Sequence, residues 1–221
     1  MFQDQFNPVV KVDHLGHLCS ASSLMVFDIE IQDEVEATGG WNALDKMKIG
    51  VAVAWSSVTD RYYYFGDDPA SRKNLIGMIE QSQVVAGFNI WSFDLPLLFG
   101  HPRDVWERDH SAIVPLLAER VFDPHRLARL AHGRPLNGPC GSGLGLQDVA
   151  TATLKRSAHG GKSAHGSEAP KMFRDGKIME LCQYCQDDVW LEKNLVEFVR
   201  RHRYMITGQG VAKITSDPLW E

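Results

Sequence analysis

Between residues 24 and 31 the chain reads LMVFDIEI, an apolar run of strand length broken twice by carboxylates. Side chains of a strand alternate between its two faces, so Asp28 and Glu30 share one face while Phe27, Ile29 and Ile31 take the other. Two acids inside an apolar strand are costly unless something compensates them. The pair therefore admits two readings: a strand end where acids reach solvent, or part of a metal site.

The rest of the pattern predicts an α/β fold, a mixed β-sheet flanked by α-helices. Apolar runs at 49–56 and 61–65 predict two further strands, preceded by a loop that carries Gly39, Gly40 and Trp41. Residues 69–82 predict a helix with Pro69 in its first turn. A short strand is expected at 84–88, a short helix at 93–99 and a fifth strand at 121–123. Helices follow at 124–132, ended by Gly133, and at 146–155. Residues 134–145 are rich in Gly and Pro. Residues 156–170 are low in complexity and repeat Ser157-Ala158-His159-Gly160 as Ser163-Ala164-His165-Gly166. A long helix is expected at 177–202, and residues 208–221 show no periodicity. Strands come first and helices follow, which suits a mixed sheet with helical cover. The expected organisation is an N-terminal extension (1–23), one domain (24–203) and a C-terminal tail (204–221).

Asp94 follows the short strand and opens a helix, where an aspartate can simply act as a cap. The long helix is more restrictive. Leu181, Tyr184, Asp188, Leu191, Leu195 and Phe198 recur at steps of three and four, the apolar face of an amphipathic helix. Asp188 lies inside that stripe with Tyr184 one turn before it. An acid there needs buried hydrogen bonds or a metal, because carboxylates are seldom buried otherwise. Asp187 falls instead on the polar row of Glu180, Gln183 and Asn194, and is expected to face solvent or lie behind the site.

Taken together, Asp28-x-Glu30, Asn89-x-x-x-Phe93-Asp94 and Tyr184-x-x-x-Asp188 resemble the three motifs of the DEDD, or DnaQ-like, superfamily of 3′-5′ exonucleases. Order and placement agree: a strand, a helix start and a late helix, within residues 24–203. Histidine-type members carry a histidine five residues before the last aspartate, where this chain has Gln183. Tyrosine-type members carry a tyrosine four residues before it, where this chain has Tyr184, so the chain resembles the DEDDy branch. The Gly39-Gly40-Trp41 loop and the string at 184–189 also resemble bacterial predicted exonucleases with ribonuclease H-like domains.

The resemblance implies a ribonuclease H-like fold and hydrolysis of terminal phosphodiester bonds of DNA or RNA, releasing nucleoside 5′-monophosphates. It implies that Asp28, Glu30, Asp94 and Asp188 hold two divalent ions. Oxygen-only ligands suit Mg²⁺ or Mn²⁺ rather than zinc. Tyr184 would orient the attacking water; with an ordinary pKa near 10 it is a poor base. The implied partner is nucleic acid with a single-stranded 3′ end. Asn89 and Phe93 read either as contacts to its terminal nucleotide or as a turn former and a core residue. A nuclease of the same fold that cuts internally, and a binding module with a dead site, are the alternatives. Retention of all four acids and Tyr184 argues against the second.

Six basic residues, Lys155, Arg156, Lys162, Lys171, Arg174 and Lys177, stand against Glu168 and Asp175 around the repeat. This segment reads as a lid over the phosphates, with Lys155, Arg156 and Lys162 as substrate contacts, or as a plain flexible loop. Arg200, Arg201 and Arg203 suit the negative end of the last helix. Cys182-x-x-Cys185 lies mid-helix without a second such pair and reads as core packing. His14, His17, Cys19 and Cys140 lack a zinc spacing. Gly160-Gly161-Lys162-Ser163 lacks the earlier glycine of a phosphate-binding loop, whose place is taken by Arg156.

Composition narrows the class further. A net charge of −5 over 221 residues excludes a bulk basic nucleic-acid binder but not an enzyme whose acidic site takes up cations. Residues 1–17 lack the basic start and apolar run of a signal peptide, no stretch suits a membrane span, and four cysteines are few. A cytoplasmic setting is expected.

Overall fold

The computed structural model describes residues 23–113, 119–135, 143–155 and 168–214. Strand β1 (Leu24–Ile31) is its hub. It pairs antiparallel with β2 (Ile49–Ser56), which pairs antiparallel with β3 (Arg61–Phe65). On its other side it pairs parallel with β4 (Val84–Ala86), which pairs parallel with β5 (Val121–Phe122). The order β3-β2-β1-β4-β5 is a mixed sheet of five strands.

Both faces of this sheet are covered, which is why β1 reads as an almost unbroken apolar run. Met25, Phe27, Ile29 and Ile31 pack under α2 (Pro69–Gln81), α3 (Asp94–Phe99) and α4 (Arg103–Ile113), through Leu75, Ile79, Leu95, Leu97 and Trp106. Leu24 and Val26, with Val51, Val53 and Trp55 of β2, pack under α8 (Ile178–His202) through Leu181, Cys185, Val189 and Val196. That second face carries on along β1 into Asp28 and Glu30. Helices α5 (Pro124–Ala131), α6 (Leu146–Leu154) and α7 (Ala169–Arg174) complete this layer, and α1 (Val35–Thr38) lies in the β1–β2 connection.

Strands β4 and β5 stop earlier than their apolar runs suggest. β4 ends at Ala86 because Gly87 is wedged: a Cβ there would lie 2.5 Å from the Phe27 carbonyl oxygen and 2.3 Å from Ile90 Cγ2. The chain then turns at Asn89, in the left-handed region with φ 67°. β5 ends at Phe122 because Asp123 caps α5, accepting from the N–H groups of His125 (3.0 Å) and Arg126 (3.3 Å). Asp123 also accepts from the Asn89 N–H at 2.9 Å and the Trp91 N–H at 3.1 Å, so one buried carboxylate holds the turn after β4.

The last helix is followed by more structure than the sequence pattern predicts. β6 (Tyr204–Thr207) and β7 (Gly210–Lys213) form a hairpin, and Met205, Ala212 and Ile214 join the α8 core. Thr153 of α6 both donates to the Ile206 carbonyl (3.0 Å) and accepts from its N–H (2.9 Å). Among the described residues no helix is long and apolar enough to cross a membrane.

Candidate metal centre

The site forms where the acidic end of β1 meets the middle of α8. Between Glu30 and Ile31 the β1–β2 register slips, and the bulge uses Gly50, where a Cβ would lie 3.1 Å from the Glu30 carbonyl oxygen. From β1 come Asp28, partly exposed, and Glu30, 8% exposed; from α8 comes Asp188, also 8% exposed. Carboxylate oxygens of these three residues lie within 4.8 Å of one another. Oxygens sharing one hard divalent cation are separated by at most about 4–5 Å, twice a metal–oxygen bond of about 2.0–2.6 Å.

Asp94 stands beside this trio without joining it. It is 1% exposed, and its Oδ1 accepts the Ile29 N–H at 2.8 Å. β4 pairs with β1 only from Leu24 to Val26, so the side chain of Asp94 takes the place of a strand partner further along β1. It opens α3 as expected, but its carboxylate serves the strand rather than the helix end, whose preceding residue Phe93 makes no side-chain cap.

The electrostatics follow from this crowding. Burial, and then the Asp188 charge, push the Asp28 carboxyl up to about 7. Burial, followed by the charges of Asp28, Asp188 and Asp94, holds Glu30 well above the carboxylate range. Asp94 is raised well above it by burial and then by Asp28. These oxygen donors repel one another where burial leaves little water to screen them. A divalent cation among them reverses the sign of every such interaction, so the donor set fits a hard cation in both chemistry and charge.

Tyr184 lies one turn before Asp188, is buried, and its hydroxyl is hydrogen-bonded to Asp188. Burial and the charges of Asp188, Glu30 and Asp28 drive its pKa far upward. It is held as a neutral hydroxyl, suited to orienting a ligand and not to abstracting a proton. Cys185 is fully buried with its Sγ 3.4 Å from both the carbonyl oxygen and Oδ2 of Asp28. Burial pushes its thiol up as well, so it faces the acids as a neutral donor. The core-packing reading of Cys182 and Cys185 holds: both are buried and neither is in a disulfide.

Two neighbours escaped the sequence reading. Glu192, 1% exposed, accepts the Phe88 N–H on Oε1 at 3.1 Å, while Oε2 has no hydrogen-bond partner among the described residues. Burial and then Asp28, Asp94 and Asp188 raise its pKa well above normal. It follows Asp188 by four residues, and that spacing was the available signal. Gln147 of α6 donates to Asp188 Oδ1 at 3.4 Å; nothing in its sequence context marks it.

The remaining candidates are dispersed. Asn89 shapes the turn, its carbonyl accepting from Ser92 and Phe93, and Phe93 is half-buried beside Asp94. Lys155 is exposed at the end of α6, and with Gln147 and Thr151 it lines a groove of about 630 Å³. Arg156 and Lys162, with the repeat, lie outside the described residues, as do His14, His17, Cys19 and Cys140. Asp187 turns away from the trio and accepts from Gln183 at 2.7 Å on the exposed side of α8.

No family model and no curated protein matches the sequence. Among solved structures, the family B DNA polymerase from the hyperthermophilic archaeon Pyrobaculum calidifontis is similar, with a TM-score of 0.53 and 17% identity. The match covers 81% of this chain and 25% of that one, so the chain spans a quarter of the polymerase's length. At that identity the likeness concerns the fold: a mixed sheet flanked by helices, compatible with the ribonuclease H-like class.

Proposed function

We propose that this chain is a metal-dependent 3′-5′ exonuclease that hydrolyses terminal phosphodiester bonds of single-stranded DNA or RNA ends. The observation that carries this reading is the convergence of Asp28, Glu30 and Asp188 within 4.8 Å, with the Tyr184 hydroxyl on Asp188. In support stands a fold shared with a DNA polymerase, an enzyme that handles nucleic acid.

Asp28, Glu30 and Asp188 would hold Mg²⁺ or Mn²⁺, with Asp94 available to a second ion through the oxygen not engaged by Ile29. Two such ions would supply an activated water, a stabilised leaving oxygen and neutralised phosphate charge. The protein's own part is positional. Tyr184 orients the water by hydrogen bonding, and Gln147 and Cys185 hold the carboxylates of Asp188 and Asp28. Asn89 and Phe93 lie where the turn after β4 meets Asp94 and would border the terminal nucleotide. Lys155, with Arg156 and Lys162, would meet phosphates further along the strand. The catalytic unit is residues 24–203, onto which the β6–β7 hairpin packs, and the sparse use of cysteine in the sequence goes with a cytoplasmic setting.

The test is product analysis. DNA and RNA oligonucleotides labelled at the 5′ end are incubated with Mg²⁺ or Mn²⁺. Stepwise shortening with release of nucleoside 5′-monophosphates supports the proposal. Discrete internal fragments would make the chain an endonuclease, and intact strands beside measurable binding would make it a binding module.

A further inference from the structure

Trp41 is 58% exposed, although an indole is among the most favourable side chains to bury. The local backbone holds it out. Gly39 and Gly40 both adopt left-handed backbone, with φ 112° and 90°. The Gly40 N–H then bonds the Val35 carbonyl at 2.9 Å, and the Ala43 N–H bonds the Gly40 carbonyl at 3.0 Å. On the far side, Asn42 accepts the Arg103 N–H on its carbonyl (3.0 Å) and the Asp104 N–H on its side chain (2.9 Å). Trp41 therefore projects from a loop anchored before and after it.

Its neighbour shows where it projects. The Trp41 ring meets Phe93 edge to face, with centroids 5.9 Å apart and planes at 64°. Phe93 directly precedes Asp94, whose carboxylate is hydrogen-bonded to β1 between Asp28 and Glu30. Trp41 is thus linked through Phe93 to Asp94, the acid that bonds β1 between two members of the carboxylate cluster. A T-shaped contact occupies only part of an indole and leaves π-surface for a further flat group.

We propose that Trp41 is a stacking platform for one nucleobase of a single strand whose end lies at the carboxylate cluster. The proposal rests on the exonuclease reading and adds a residue and a mode of recognition to it. A nucleobase is the occupant that fits: every nucleotide offers a flat π-face, and stacking does not depend on the strand's negative charge, which the acidic site opposes. An aromatic held rigid before binding loses little freedom when the base arrives. Because any base can stack, the contact would be tolerant of sequence.

Binding of oligonucleotides with Ca²⁺ in place of Mg²⁺ tests this, using one intact strand and strands with a single abasic residue at successive positions from the 3′ end. The parent should lose about tenfold in affinity at one abasic position. Trp41→Ala should lose a similar factor on the intact strand and no longer distinguish that abasic strand, and Trp41→Phe should restore most of both. If Trp41→Ala binds the intact strand like the parent, or keeps the abasic discrimination, the platform is excluded. If that happens while the parent degrades oligonucleotides to mononucleotides, only the role of Trp41 fails. If the parent neither binds nor cleaves, the exonuclease reading fails and this one with it.

Discussion

Replacing Asp28 by asparagine should make the protein more stable and inactive at once. The substitution keeps the shape of the side chain and an oxygen for the Cys185 thiol, but removes one of the charges crowded at the end of β1. Folding moves the Asp28 carboxyl from 3.8 to about 7. Each tenfold in that equilibrium corresponds to about 1.4 kcal/mol, so the upper bound on the destabilisation is about 4 kcal/mol. Asp28 is partly exposed, and discounting for solvent screening brings the expected figure to about 2 kcal/mol. The direction with pH follows from the raised carboxyl. Folded protein holds the proton more tightly than unfolded chain, so in chelator the Asp28 contribution to stability falls as pH rises from about 4 to about 7 and then levels off. Asp28→Asn should fall less across that window. At pH 8 in EDTA the variant should melt roughly 4–8 °C higher, taking about 2–4 °C per kcal/mol for a chain of this size, and near pH 4 the two should converge. Saturating Mn²⁺ should close or invert the gap, because a ligand that binds only the folded parent stabilises only the parent. Parent stability equal to or above the variant at pH 8 in chelator would refute the electrostatic reasoning.

Other expectations follow from individual side chains. Asp188→Asn should abolish hydrolysis, whereas Asp187→Asn, whose residue bonds Gln183 on the exposed side of α8, should remain within about tenfold of the parent; equal losses would reverse the assignment of the two acids. Asp123→Ala removes a buried acceptor from four backbone N–H groups and should cost roughly 2–4 kcal/mol in urea unfolding, with an unchanged midpoint refuting its part in the turn after β4. Alanine at Lys155, Arg156 and Lys162 together should weaken binding and reduce the slope of log affinity against log salt by roughly 0.7 for each phosphate no longer neutralised, at little cost to turnover; an unchanged slope would place these charges away from the strand.

What the sequence makes legible here is what depends on local periodicity. The alternation along β1 places Asp28 and Glu30 on one face, and the stripe along α8 carries Tyr184 and Asp188 inward while leaving Asp187 outside; the structure has both. The parts that were hidden depend on where elements meet. Asp94 takes the Ile29 N–H because β4 stops at Ala86, and that stop depends on Gly87 packing against β1. Glu192 is buried because the inward face of α8 is wide enough to take both Leu191 and Glu192, and one apolar stripe does not reveal that width. Gln147 reaches Asp188 only once α6 lies against α8. The β6–β7 hairpin has four residues per strand, too short for an alternating pattern to stand out.

Manganese uptake tests most directly whether the acids of β1 and α8 form a metal centre. Titrating Mn²⁺ into the protein at pH 8 while following the spin-resonance signal of the unbound ion counts the ions taken up. The parent should remove Mn²⁺ from solution with a defined stoichiometry, and Asp28→Asn and Asp188→Asn should each lose that uptake while unfolding cooperatively. Equal uptake by all three proteins, or none by the parent, would contradict the assignment of Asp28, Glu30 and Asp188 as its ligands.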